Sequence, residues 1–251
     1  MRKPGLIMLL GLLLPLVCRP GPDLADRAQA AFQGRGDPAK ALLAIELCDQ
    51  LARQNPGDLD SRIKVGRLVY WVIEEQKSVT ERSRKIELFE KAIKNLREVI
   101  DKDEDNVAAW HWMMWDMGAL TLAKGVFSGW NLKDGVIGTI MVSKGDVNFF
   151  YGGVYRHWAR LIYETPKIMS RFLHFTDLDS IWIYKRAIAV EPNYLLNHFW
   201  LAETYEKIGR RQEAGEEYEF CANLPDGALL DMVPENRLYK KLARERLKNF
   251  N

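Results

Sequence analysis

The stretch that decides the fold is Leu201-Ala202-Glu203-Thr204-Tyr205, continued by Gly209, Ala214, Tyr218, Cys221 and Pro225. Ala202, Ala214 and Cys221 are small side chains spaced to lie where two paired helices come closest. Gly209 turns the chain between those helices, and Pro225 ends the second one. The preceding segment repeats the pattern. Tyr184 and Tyr218 are 34 residues apart, and so are Ala187 and Cys221. A period of about 34 residues means stacked helical hairpins, each burying its apolar face against its neighbour.

Weaker copies lie upstream. Val65-Gly66 and Val69 open one hairpin, with Phe89 and Ala92 on its second helix. Asn106 to Trp110 starts another helix, after an acidic loop. A more degenerate helix covers Ala39–Gln54. Apolar positions recur at three and four, as in Ile86, Phe89, Ile93, Leu96 and Ile100, and no strand run appears. The predicted fold class is all-α, a tetratricopeptide-like array of helical hairpins. Residues 19–251 form one domain.

One hairpin departs from the spacing. Met114 to Ala187 is 73 residues, against 19 from Ala202 to Cys221, so about 54 residues are inserted. The predicted insertion covers about 118–178. It is rich in glycine, and Trp110 to Tyr163 holds 11 of the 27 aromatic residues. Insertions in repeat arrays map to one face, often the binding face.

The remaining composition excludes several classes. The chain has 251 residues, 47% hydrophobic and 28% charged, which is ordinary for a folded domain. Arg2 and Lys3 carry the formal surplus. Without residues 1–18 the net charge falls from +2 to zero. A neutral body argues against a nucleic-acid partner, which needs a clustered basic surplus.

Arg2 and Lys3 precede the apolar run Leu6–Val17. Twelve residues are too few to span a bilayer core of about 30 Å. They fit a secretory signal peptide over residues 1–18. Cys18 closes the run as a candidate lipid anchor. Pro15 and Val17 stand where a lipoprotein signal usually has Leu and a small residue, so a plain cleaved signal is the other reading. Either way the body is expected in the periplasm or cell envelope, with the membrane met only through the anchor.

No catalytic or metal constellation emerges. His111, His157, His174 and His198 include no pair three or four apart, so no helix presents a two-histidine clamp. There is no phosphate loop and no nucleophile elbow. Cys48 and Cys221 fall on apolar helix positions. No cofactor and no enzyme activity are predicted. An enzyme using Arg156 and His157 is the low-ranking alternative. In Trp110–Met117, Trp110, Met113, Met114 and Met117 share a core face. Trp112 and Trp115 point to a second face, where they either pack on the insertion or wall a groove.

The segment Phe149-Phe150-Tyr151-Gly152-Gly153-Val154-Tyr155-Arg156, running on to Tyr163-Glu164-Thr165-Pro166, is the distinctive one. With Asp177–Pro192, Tyr194–Asn197 and Leu201–Tyr205, it resembles the T-component (TatT-like) family of TRAP transporters. The resemblance covers roughly residues 60–225 and departs at His157-Trp158-Ala159, where the family pattern has Leu-Gly. It implies an all-helical periplasmic lipoprotein that forms a homo-trimer. It also implies docking to the solute-binding protein of a TRAP system and a hydrophobic small molecule held inside. The candidate ligand-binding residues are Trp112, Trp115, Phe150, Tyr151, Tyr155, Arg156 and Trp158. The competing reading is a general tetratricopeptide adaptor in envelope assembly.

Overall fold

A computed structural model of the chain describes residues 23–125, 132–165, 167 and 174–250. The signal segment and Cys18 lie outside the described residues. Eleven helices follow one another: α1 (Leu24–Gln33), α2 (Pro38–Gln54), α3 (Leu59–Tyr70), α4 (Arg82–Ile100), α5 (Val107–Lys124), α6 (Leu132–Gly145), α7 (Phe149–Glu164), α8 (Asp177–Val190), α9 (Leu195–Lys207), α10 (Arg211–Asn223) and α11 (Val233–Leu247). Among the described residues there is no strand.

Local chemistry sets the boundaries. Asp23, Asp37, Asp58 and Asn106 each accept a backbone N–H of the following first turn, which satisfies an orphan donor of α1, α2, α3 and α5. Pro38 stands at the start of α2, where its missing N–H leaves no bond unmade. Thr176 and Asp179 form a reciprocal capping box on α8. Gly209 adopts φ 80°, which turns α9 into α10.

Among the described residues each helix packs on the next, α6 on α7 least of all, and α3 touches α5, as α9 touches α11, across the helix between them. This is the tetratricopeptide-like array. The 34-residue matches fall on its tightest contacts: Tyr184, Ala187, Tyr218 and Cys221 are all fully buried. The extra length between Met114 and Ala187 is not one block set apart from the array. α6 is the second helix of the α5 hairpin, and α7 is the first helix of the α8 hairpin. Glycine makes both fits possible. A Cβ on Gly138 would lie 3.0 Å from the Trp110 carbonyl of α5, and one on Gly152 would lie 2.8 Å from Ala187 Cα of α8.

The array also closes on itself. Glu235, at the start of α11, is buried. Its carboxylate accepts two bonds from Arg35, each 2.8 Å, and one from Arg67 at 2.9 Å. Arg35 follows α1 and Arg67 lies on α3, so the last helix is tied to the first hairpins. Arg35 also donates to the Asp231 carbonyl, and its own carbonyl accepts from the Trp71 indole. Asn236 joins the same helix to α9. Its oxygen accepts the Leu195 N–H at 3.1 Å, and its nitrogen donates to the Asn193 carbonyl at 2.9 Å.

Removing one partner of a buried ion pair leaves an uncompensated charge, which costs about 3–5 kcal/mol. Glu235→Ala is therefore expected to lower the unfolding free energy by about that amount in urea titration. Substitution of exposed Glu245 to Ala, on the same helix, should cost under about 0.5 kcal/mol.

Candidate functional site

The first of three regions is an aromatic cluster inside the array. Immediately after α3, a π turn over Trp71–Glu75 adds a residue to the helical repeat. Tyr70, at the end of α3, faces the rings of Trp112 (6.3 Å) and Trp115 (5.2 Å) on α5. Trp112 meets Phe150 edge-on at 4.8 Å. Trp115 meets His157 at 4.7 Å and Trp200 of α9 at 5.8 Å. Phe150 packs on Tyr151, and Tyr151 on Tyr194. Five of the seven candidate ligand-binding residues thus come together: Trp112, Trp115, Phe150, Tyr151 and Arg156. Trp112, Trp115 and Arg156 are buried, and Phe150 and Tyr151 are half-buried.

The backbone of this cluster is unusual. Phe150, Tyr151 and Gly152 have φ of 49°, 60° and 75°. Such a left-handed run costs non-glycine residues about 1–2 kcal/mol each and needs outside support. Arg156 supplies it. Its guanidinium donates to the Phe150 carbonyl at 3.2 Å, the Tyr151 carbonyl at 3.3 Å and Asn197 Oδ1 at 2.9 Å. Asn197 Nδ2 adds a second bond to the Tyr151 carbonyl. The terminal nitrogens of Arg156 are therefore engaged by the chain's own backbone and Asn197. Gly153 lets α7 approach α5: a Cβ there would lie 2.2 Å from His111 Cε1.

Burial shifts several ionisable groups here. His111 is wholly enclosed, which pushes its pKa well below the usual range, with the Arg156 charge adding to the effect. Asp116 is raised well above the carboxylate range by burial, and neither oxygen has a hydrogen-bond partner among the described residues. His157 is lowered to about 4 by burial and then by Arg156. Glu75 is raised to about 7 by burial first and the Glu235 charge second. Tyr239 of α11 donates to Glu75 Oε2 at 2.9 Å, a second tie between the two ends of the array.

Tyr155 and Trp158 sit elsewhere. They lie on the outer side of α7, the second region. Tyr155 stacks under Arg186 of α8, with the guanidinium carbon 5.6 Å from the ring centre. Trp158 is 39% exposed, and Leu161, Leu178 and Trp182 are exposed beside it. Sequence reasoning did not single out Leu178 or Trp182. The signal was present, since both are four apart on one helical face that carries charge elsewhere.

The third region is an open groove of about 430 Å³ between α2, the 78–81 loop and α4. Its lining includes apolar Leu42, Leu43 and Val79 and charged Glu46, Glu81 and Arg84. Among the described residues, no group of three or more His, Cys, Asp or Glu could hold a metal ion, and no helix is long and apolar enough to cross a membrane. Cys48 and Cys221 are buried free thiols. Desolvation raises both, Cys48 to about 11.

The fold has a solved counterpart. A tetratricopeptide-repeat protein from Thermus thermophilus is similar in structure, with a TM-score of 0.60 and 15% sequence identity, over 88% of this chain and 98% of that one. No family model matches the sequence, and no curated protein matches it. At that identity the likeness shows the fold alone.

Two outcomes test this geometry. Glu75 takes up its proton more readily folded than unfolded, so the folded state loses stability as pH rises from about 4.5 to about 7. Buried His157 acts with the opposite sign between about 6.5 and 4, so the comparison is made against Glu75→Gln. The stability of the native chain relative to Glu75→Gln, from urea titrations at several pH values, should fall across pH 4.5–7 and level off above it. Gly152→Ala should cost more than about 1–2 kcal/mol, because a Cβ there is both strained and blocked by α8.

Proposed function

We propose that this chain is a non-catalytic adaptor, a closed helical-repeat scaffold that holds other proteins of the cell envelope together. The observation that carries the reading is the array itself: hairpins tied end to end by Glu235, with a preformed groove left open on its flank. A lining that combines apolar Leu42, Leu43 and Val79 with charged Glu46, Glu81 and Arg84 suits a small protein-binding patch. The occupant proposed for it is an apolar segment of a partner protein. The interior supports the same view. Arg156 and Asn197, two of the polar groups at its centre, are engaged by each other and by the chain's own backbone.

A narrower reading is that the partner is the solute-binding protein of a TRAP system, with a hydrophobic ligand near Trp112, Trp115 and Phe150. It is supported by the Gly152-Gly153-x-x-Arg156 resemblance and by the continuous ring contacts of that cluster. Residues 1–18 are proposed to direct export, with Cys18 as the lipid-bearing residue.

The test is an affinity pull-down of the tagged chain from its native envelope in mild detergent, with bound proteins identified by mass spectrometry. A stoichiometric partner whose recovery drops at least tenfold with Leu43→Glu would support the adaptor and its groove. A TRAP solute-binding protein as that partner would favour the narrower reading. Recovery of no partner at all would overturn both.

A further inference from the structure

The α7–α8 face carries apolar side chains that the array does not use. The two helices run antiparallel in a register fixed by Ser180, whose hydroxyl donates to the Ala159 carbonyl at 2.9 Å, and by the Gly152 to Ala187 approach. That register sets Trp158 level with Trp182, and Leu161 level with Leu178, along the helix pair. Trp182 is 60% exposed, Leu178 61% and Leu161 48%. These four apolar side chains are therefore all exposed along the α7–α8 pair. Patches of this kind on a folded domain mark interaction sites.

The charges around these side chains are ordered along α8. Asp179 lies one turn before Trp182 and Arg186 one turn after it, and all three are exposed on the same side of the helix. Arg186 is held in place by stacking on both Trp182 (5.0 Å) and Tyr155 (5.6 Å). Acid before and base after a central tryptophan is a self-complementary arrangement. A twofold axis lying in the interface and passing at Trp182 reverses α8 upon itself. Trp182 then meets its own copy, Trp158 lies over its own copy, and Asp179 faces the partner subunit's Arg186. A parallel arrangement would set like charges together instead.

We propose that the α7–α8 face binds a second copy of this chain in an isologous, antiparallel dimer centred on Trp182. The dimer is independent of the groove on α2 and leaves it open in each copy. Two helix faces make a small interface, so association falls in the micromolar range.

The experiment is sedimentation velocity of the full chain in mild detergent, which keeps the apolar 6–17 run from driving association. At about 100 µM, well above a micromolar Kd, the native chain should be mostly dimer. Trp182→Asp and Arg186→Asp should each move it to monomer with unchanged helical circular dichroism. In a Cys18→Ser background, Trp182→Cys should form an intermolecular disulfide on mild oxidation, since a residue on the axis meets itself. A monomeric native chain, a trimer, or a dimer that survives Trp182→Asp would overturn the proposal. A monomer whose partner in the pull-down is lost with Trp182→Asp would also overturn it, and would give the face to a different protein.

Discussion

The structure depends on one buried carboxylate. Glu235 sits between Arg35 and Arg67, out of contact with water, and answers the charge of both. A repeat array is ordinarily a one-dimensional object whose units touch only their neighbours. Here the last helix is bonded to the first two hairpins, and the Tyr239 to Glu75 bond reinforces the tie. Taking these charges out of water is costly, and their mutual attraction offsets that cost only in this geometry. What the arrangement adds is a set of directed bonds between segments 168 to 200 residues apart.

Internal pairing also explains Arg156. In sequence Arg156 stands among aromatic residues as a candidate ligand-binding residue. In the folded chain its donors close a left-handed turn that would otherwise be strained and open. Gly152 and Gly153 serve that same turn, one by its positive φ and both by giving up side-chain volume to α8 and α5. The aromatic cluster of Trp112, Trp115, Phe150 and Tyr151 is assembled by this turn.

The hairpins were legible in sequence because their signals are local. Tyr184 with Tyr218, and Ala187 with Cys221, repeat at the spacing of one unit, and each is fully buried. Asn106 announced the start of α5 by its own capping chemistry. The stretch from Met114 to Ala187 was harder, since α6 and α7 pair with different neighbours and no repeat spacing links them. The site was split for a similar reason. Tyr155 and Trp158 are near Arg156 in the chain, but they lie on the outer side of α7 while Arg156 is buried. The Glu235 latch left no mark at all. Its members are 168 to 200 residues apart in sequence, and each alone reads as a solvated charge.

That separation has a kinetic consequence. Arrays with local contacts fold quickly, because each unit can form as soon as it is made. In this chain Arg35 and Arg67 are synthesised well before α11, and their counter-charge arrives only with that helix. Until then the amino-terminal units must keep two guanidinium groups hydrated and the space between them open. The ionic tie between α11 and the α1–α3 region therefore cannot form before α11 has been made.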